Sequence, residues 1–116
     1  MQRGFLFVFF LAFALLRAAE PTGTISGRVL DASGASIAGA KVSITNLNTG
    51  FKRDTTTGVD GGFVVPLVPA GTYLVQVEAS GFSRFEQRGV EVKTDETANV
   101  PVSLQVGSST QSVTVE

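Results

Sequence analysis

Residues 71–82, GTYLVQVEASGF, are the stretch that decides the fold. The large apolar residues recur at every second position, so that Tyr73, Val75 and Val77 share one face and Glu78 lies on the other. Successive side chains of a β-strand point to opposite faces of a sheet. The alternation therefore predicts a strand that buries one face in a core and exposes the other to water.

The same period of two appears in the other apolar segments of the chain. These segments are residues 24–30 (TISGRVL), 40–45 (AKVSIT), 63–65 (FVV), 90–93 (VEVK) and 99–106 (NVPVSLQV). No segment after residue 20 carries apolar residues at helical spacing over a useful length. Residues 51–57 (FKRDTTT) are polar on both faces, which predicts an exposed edge strand whose charges discourage pairing with another sheet. Pro101 has no N–H to donate, so the last strand is also expected at an edge or a bulge.

Turn-forming residues separate the apolar segments at the short spacing of an antiparallel sandwich. They cluster at residues 31–34, 48–50, 60–62, 69–71, 80–81 and 88–89. Glycine supplies positive φ in such turns, and asparagine or aspartate bonds to the nearby backbone. The pattern predicts an all-β fold, a single seven-stranded antiparallel β-sandwich. Its predicted core consists of Ile25, Val29, Val42, Ile44, Phe63, Val65, Tyr73, Val75, Val77, Phe82, Val90, Val92, Val100, Val102 and Leu104.

The first 19 residues have the layout of a secretory signal peptide. Arg3 gives a charged start, residues 5–16 form an apolar run, and Ala18 and Ala19 are small residues suited to a cleavage site. A membrane-spanning helix needs roughly 20 apolar residues. The run of 12 is too short for such an anchor. We therefore expect residues 1–19 to be removed on export and residues 22–107 to form the domain.

The composition of the exported chain excludes several classes of function. Arg3 and Arg17 leave with the signal peptide, so seven of the nine basic residues remain against ten acidic ones. This acidic balance argues against a nucleic-acid partner. With no His and no Cys in the chain, the usual general base, thiol nucleophile and zinc ligands are missing, and we expect neither an enzyme nor a bound cofactor. Asp60 and the pair Asp95 and Glu96 remain as candidates for calcium, although neither has the spacing of an EF-hand loop.

The order of the turn and strand signals resembles a known family. The signals are Gly27-Arg-Val29-Leu-Asp31, Thr49-Gly50, Asp60-Gly-Gly-Phe63, Pro69-Ala-Gly71-Thr-Tyr73 and Ala79-Ser-Gly81-Phe82. In this order, over residues 22–107, they look like the carboxypeptidase regulatory-like domain. The resemblance implies a seven-stranded, prealbumin-like sandwich, also described as a carbohydrate-binding-like fold. It does not bring the zinc site of the peptidase, which lies in a different domain.

Three aromatic residues in these signals are expected to have structural roles. Phe63 follows a glycine turn and is predicted to plug the core. Phe82 is predicted to close one end of the sandwich. Tyr73 starts the most apolar strand, where it can bury its ring while its hydroxyl finds a backbone partner.

The last residues of the chain point to a cellular context. In Gram-negative bacteria this module commonly precedes the plug and barrel of TonB-dependent outer-membrane transporters. Residues 108–116 read as a linker that includes Ser112, Val113, Thr114 and Val115, a segment that resembles a TonB box. Such an extended segment is suited to adding a strand to a sheet edge of TonB or of a plug or barrel domain. We expect an exported monomer in the periplasm or at the outer membrane, either a truncated receptor or a free-standing module.

Two other functions stay open at this point. A carbohydrate-binding module would suit the fold, but sugar platforms usually use exposed Trp or Tyr, and here only Phe51 and Phe85 are candidates. A cell-surface adhesin domain of the collagen-adhesin B type is the other interpretation. Some of those domains carry a Lys–Asn crosslink assisted by a Glu. Glu78 and Asn99 are placed for it, but Arg28 stands where the Lys is needed, so no crosslink is expected.

Overall fold

The computed structural model describes residues 20–107, which form seven strands in two sheets. The strands are β1 (Thr22–Asp31), β2 (Lys41–Asn46), β3 (Lys52–Thr56), β4 (Gly62–Pro69), β5 (Gly71–Glu78), β6 (Phe85–Val92) and β7 (Thr97–Leu104). One sheet has the order β4-β1-β7 and the other the order β3-β2-β5-β6. The predicted all-β, seven-stranded sandwich is confirmed. The predicted signal peptide and linker lie outside the described residues.

The strand pairs are antiparallel with one exception, the pair β1–β7. This pair is parallel and keeps its register from Thr24 opposite Thr97 to Asp31 opposite Leu104. The predicted antiparallel arrangement therefore holds for the other four pairs and not for this one. Antiparallel neighbours are typically joined by a hairpin, whereas parallel ones need a crossover. Here the chain crosses from β6 in one sheet to β7 in the other, so no hairpin sets the direction of β7 against β1.

The interior of the sandwich holds the predicted core almost unchanged. Fourteen of the fifteen predicted residues are buried, and the exception, Phe82, is partly buried against the same cluster. Ala40 and Val68 also belong to the core, although the sequence does not single them out. Phe63 is 4% exposed, which confirms its predicted role as a core plug. The Tyr73 ring is buried and its hydroxyl donates to the carbonyl of Pro69 at 2.6 Å, as predicted.

A bulge in β4 explains why Val68 was missed. Leu67 has a φ of +56°, and the pairing with β1 shifts register between Gly23 and Ile25. Pro66 and Leu67 are both exposed there, and the strand then returns to the core at Val68. An extra residue in one strand of a pair breaks the alternation locally. A strict alternation along the sequence does not place Val68 on the buried face, and for this reason the sequence analysis did not include it in the core.

The two strands predicted at sheet edges lie there. β3 is an outer strand of the four-stranded sheet and β7 an outer strand of the three-stranded sheet. Pro101 lies on β7, which has a strand neighbour on one side only, and an edge strand is where a residue without an N–H is tolerated. No helix within residues 20–107 is long and apolar enough to cross a membrane.

Arg53 on the edge strand β3 reaches across to the other sheet. Its NH1 group donates to the carbonyl of Pro66 on β4 at 2.8 Å, and its guanidinium carbon lies 5.1 Å from the centre of the Phe51 ring. Phe51 in turn meets Tyr73 edge-on, with ring centres 6.2 Å apart. Arg53 therefore joins the two sheets at this seam, while its neighbour Lys52 remains exposed.

Asp31 organises the turn that follows β1. Its Oδ1 accepts hydrogen bonds from the Ser33 hydroxyl at 2.7 Å, the Ser33 N–H at 2.8 Å and the Ala35 N–H at 3.0 Å. These donors, the Ser33 hydroxyl first, hold the pKa of Asp31 below its ordinary value of 3.8. Hydrogen bonds to a carboxylate favour its charged form, so the turn is strongest when Asp31 is ionised.

Lowering the pH is expected to loosen the Asp31 turn. A carboxyl whose pKa is depressed by folding adds stability above its unfolded pKa, and this stability is lost as the pH falls through the folded pKa. We expect an NMR titration of the carboxyl carbon to give a midpoint below 3.8. Asp31→Asn, which keeps an acceptor oxygen without the charge, should destabilise the fold at neutral pH and progressively less below pH 3.8. A midpoint at or above the ordinary value would contradict this account.

Candidate functional site

The outer face of the three-stranded sheet carries a cleft of about 380 Å³, called here the Arg28 cleft. Strand pairing builds it, because Arg28 lies beside Gly62, and Ser26 lies beside both Val64 and Asn99. A Cβ at Gly62 would lie 3.1 Å from Asp60 Oδ1, so the absence of a side chain there makes room for the Asp60 carboxylate beside Arg28. The cleft is lined by Ser26, Gly27, Arg28, Asp60, Gly62, Phe63, Val64, Asn99 and Pro101.

Arg28 and Asp60 form the charged end of the Arg28 cleft. The Arg28 NH2 group lies 3.7 Å from Asp60 Oδ2, and the two side chains are 61% and 68% exposed. Asp60 Oδ1 also accepts a hydrogen bond from the Gly62 N–H at 2.9 Å. An ion pair this exposed contributes little to stability. Both groups can therefore exchange their mutual contact for hydrogen bonds to a polar ligand, with Val64 as an exposed apolar wall.

A second, polar groove lies at one end of the four-stranded sheet and measures about 490 Å³. Arg84 forms two ion pairs at this groove. Its Nε lies 3.0 Å from Glu78 Oε2, and its NH1 lies 3.6 Å from Glu86 Oε2. Gln76 adds a hydrogen bond of 2.8 Å to the same Glu86 oxygen. The charges in this groove thus largely neutralise one another. The lining residues are Gly39, Lys41, Glu78, Ala79, Ser80, Phe82 and Arg84.

Of the acidic residues considered for calcium, Asp60 uses its carboxylate in structural contacts, whereas Asp95 and Glu96 bond through their backbone groups. Asp60 bonds to Arg28 and to the Gly62 N–H. Asp95 lies in the turn before β7 with a φ of +59°, and its N–H donates to the carbonyl of Thr22 at 2.8 Å. Among residues 20–107, no group of three or more His, Cys, Asp or Glu residues is placed to hold a metal ion.

The aromatic residues considered for sugar stacking do not stand free on the surface. Phe51 and Phe85 are partly buried and pack against the core. The rings of Phe51 and Tyr73 pack in a T-shaped arrangement, and the guanidinium group of Arg53 lies over the Phe51 ring. A sugar ring would have to displace Arg53 to stack there, so the expectation of exposed phenylalanines is wrong for this residue.

The residues considered for an adhesin crosslink lie on different sheets. Glu78 ends β5 in the four-stranded sheet and is paired with Arg84. Asn99 on β7 and Arg28 on β1 belong to the three-stranded sheet, where both line the Arg28 cleft. The strand placement therefore separates the Glu from the other two members of the set.

The sequence candidates for partner binding, Ser112, Val113, Thr114 and Val115, lie outside the described residues. The chain approaches them from the Phe82 end of the sandwich. There Val106 forms a bridge with Phe82, and the Gly107 N–H donates to the carbonyl of Gly81 at 2.7 Å. The segment that follows residue 107 therefore starts at the end of the domain where β7 finishes.

Two buried polar residues support the loops of the sandwich. The sequence placed Thr57 in an exposed edge strand, which is wrong for this residue because β3 ends at Thr56 and the next residue turns inward, and it assigned no role to Asn46. Thr57 Oγ1 accepts from the Ala40 N–H at 2.9 Å and donates to the carbonyl of Ile37 at 2.7 Å. Asn46 Oδ1 accepts from the Asn48 N–H at 2.9 Å. Both are 5% exposed. In the sequence they resemble ordinary residues at the ends of strands. They are buried because the neighbouring loops fold back over them and bond to their side chains.

Comparison with solved structures finds this fold in proteins of several kinds. The Bacillus anthracis TIE protein is 27% identical with a TM-score of 0.65, over 75% of this chain and 17% of that one. An interface mutant of a type II cohesin–X-dockerin complex from Acetivibrio cellulolyticus is 26% identical with a TM-score of 0.59, over 73% of this chain and 58% of that one. The 3-chlorocatechol 1,2-dioxygenase of Rhodococcus opacus shares only the fold. It is 13% identical with a TM-score of 0.62, over 77% of this chain and 61% of that one. The chain spans less than two thirds of each of these proteins.

The family assignment follows from the sequence as well as from the fold. Comparison with curated protein sequences finds no match. The family model of the carboxypeptidase regulatory-like domain matches residues 24–105, which include every signal quoted above from Gly27 to Phe82. The chain therefore belongs to the carboxypeptidase regulatory-like domain family, in which this domain is a non-catalytic β-sandwich module.

Proposed function

We propose that this chain is an exported, non-catalytic accessory module of a TonB-dependent outer-membrane receptor. It would face the periplasm as a monomer and act in attachment or in contact with TonB or with a plug or barrel domain. The observation that carries the proposal is the alternating segment 112–115, which follows a domain of this family after a short polar linker. The signal-peptide layout of residues 1–19 supports export.

The mode of contact that suits this segment is strand addition. In an extended conformation Val113 and Val115 point to one side, and Ser112 and Thr114 point to the other. Main-chain hydrogen bonds to a sheet edge would supply affinity, and pockets for the two valines would supply specificity. None of the groups needed is catalytic, which agrees with a chain that has neither His nor Cys.

Titration of the isotope-labelled exported chain with the periplasmic domain of a TonB protein tests the proposal. We expect NMR shift changes confined to residues 108–116. Val113→Pro and Thr114→Pro each remove one backbone donor. Because successive N–H groups of a strand point to opposite sides, one of the two donors must face the partner edge, and at least one of these variants should abolish the changes. Ser108→Pro and Ser109→Pro place the same residue in the preceding linker and should leave binding intact. Absence of shifts in this region, or shifts that survive in both the Val113→Pro and the Thr114→Pro variants, would refute the strand-addition model.

Carbohydrate binding is the second candidate function, and the Arg28 cleft is the observation that favours it. The cleft combines hydrogen-bonding side chains with the apolar walls of Val64 and Pro101. Addition of oligosaccharides to the same labelled chain distinguishes the two candidates. Shifts at Ser26 and Arg28 that disappear in an Asn99→Ala variant would assign sugar binding to this cleft. A cleft that stays silent removes this candidate.

A further inference from the structure

The chain enters and leaves the sandwich at opposite ends of one strand pair. β1 begins at Thr22, close to the first described residue, and β7 ends at Leu104, close to the last. These two strands are hydrogen-bonded neighbours and run parallel. Because neighbouring parallel strands start at the same edge of a sheet, the start of β1 and the finish of β7 lie at opposite ends.

Tension applied between these two ends acts along the β1–β7 pair. The register is continuous over eight residue pairs, from Thr24 opposite Thr97 to Asp31 opposite Leu104. Pulling β1 and β7 in opposite directions strains these interstrand hydrogen bonds together. In an antiparallel hairpin pulled from its open end, the bonds would instead break one after another. Each bond is weak by itself, and simultaneous loading shares the force among them.

Contacts at both ends of the pair extend this arrangement. At the entry end, the Thr24 N–H donates to the carbonyl of Glu96 at 2.9 Å and the Asp95 N–H donates to the carbonyl of Thr22 at 2.8 Å. Further along, Val29 and Val102 are register partners and both are buried in the core. β1 is also held on its other side by β4, so it cannot slide without disturbing the whole three-stranded sheet.

We propose that the parallel β1–β7 pair makes this domain mechanically resistant along the line between its first and last strands, and that it withstands more tension in this direction than across the antiparallel β1–β4 pair. The property belongs to the strand topology and holds whichever partner the segment 112–115 binds. It therefore goes beyond the proposed function and can fail or succeed independently of it.

Single-molecule pulling along two directions in the same protein tests the proposal. The chain contains no Cys, so an introduced pair of cysteines gives unambiguous attachment points. Glu20→Cys with Gln105→Cys applies force along the β1–β7 pair. Glu20→Cys with Ala70→Cys applies force between the start of β1 and the end of β4, which lie side by side because the Ala70 N–H donates to the carbonyl of Pro21 at 3.1 Å. All three positions are exposed.

The two directions should give clearly different unfolding forces. We expect the 20–105 attachment to withstand at least about twice the force of the 20–70 attachment, which peels β4 from β1 one pair at a time. Denaturant unfolding of the two double variants provides the control, since equal free energies of unfolding would show that the difference in force is geometric. Equal forces in the two directions, or a weaker 20–105 direction, would overturn the proposal.

Discussion

Replacing Gly27 with alanine is expected to lower the free energy of unfolding by about 3 kcal/mol or more, or to prevent folding altogether. A Cβ at this position would overlap the carbonyl oxygen of Val100 and would lie 2.6 Å from Cζ of the Phe63 ring. The first clash is with the backbone of β7, the neighbour of β1 in the sheet. Relief would therefore require two paired strands to move apart, which a rotamer change cannot achieve.

Gly58→Ala is the matched control for this substitution. The nearest atom to a Cβ at Gly58 is Asp60 Oδ1 at 3.8 Å, which is an ordinary contact, and Gly58 is not among the positive-φ glycines. We expect its effect to stay within about 0.5 kcal/mol. Denaturant unfolding followed by circular dichroism measures both variants. A similar, small effect for Gly27→Ala and Gly58→Ala would show that the two strands are not packed as closely as described.

Phe63→Ala should cost about 3–5 kcal/mol of the free energy of unfolding, the usual range for removal of a buried aromatic ring. Phe63 is 4% exposed and lies in the core opposite Gly27 on β1. Val64→Ala, at the next position of the same strand, removes a side chain that is 61% exposed and should change stability by about 0.5 kcal/mol or less. Equilibrium unfolding in urea compares the two, and a cost for Phe63→Ala no larger than that for Val64→Ala would contradict the assigned core.

The two substitutions are expected to be coupled. In the double variant Gly27→Ala with Phe63→Ala, the new methyl group no longer meets the ring, although its overlap with the carbonyl of Val100 remains. The combined loss of stability should therefore be smaller than the sum of the two single losses, as is usual for residues in contact. Strict additivity would indicate that the ring does not press on Gly27.

This coupling gives a physical meaning to two of the sequence signals of the family. Gly27 belongs to the first signal and Phe63 to the third, and they are register partners on β1 and β4. Glycine is needed where the ring and the backbone of β7 approach β1 most closely. Gly27 and Phe63 therefore have an architectural role in these two signals. Arg28 and Asp60 belong to the same two signals and form the charged end of the Arg28 cleft, which all four residues line.

The strands and the core could be predicted because side-chain alternation is a local property. A residue such as Val42 or Val75 faces the core whichever strand becomes its neighbour, since its direction depends only on its own backbone. The same logic failed at Leu67, where a bulge changes the direction of the following residues. It also gave no indication of the two clefts, because each is assembled from residues on several strands.

By itself, the sequence predicted the seven-stranded sandwich, the segments that form its strands and fourteen of the residues in its core. It did not predict the burial of Val68 after the bulge in β4, nor that of Leu74 on the face of β5 expected to meet water. Only the tertiary structure decided that β1 and β7 are parallel neighbours, that Gly27 lies against Phe63 and Val100, and that Arg53 joins the two sheets. The reason is that alternation and turn chemistry act over a few residues. Pairings such as Gly27 with Val100 join residues far apart in the chain and depend on the packing of the whole molecule.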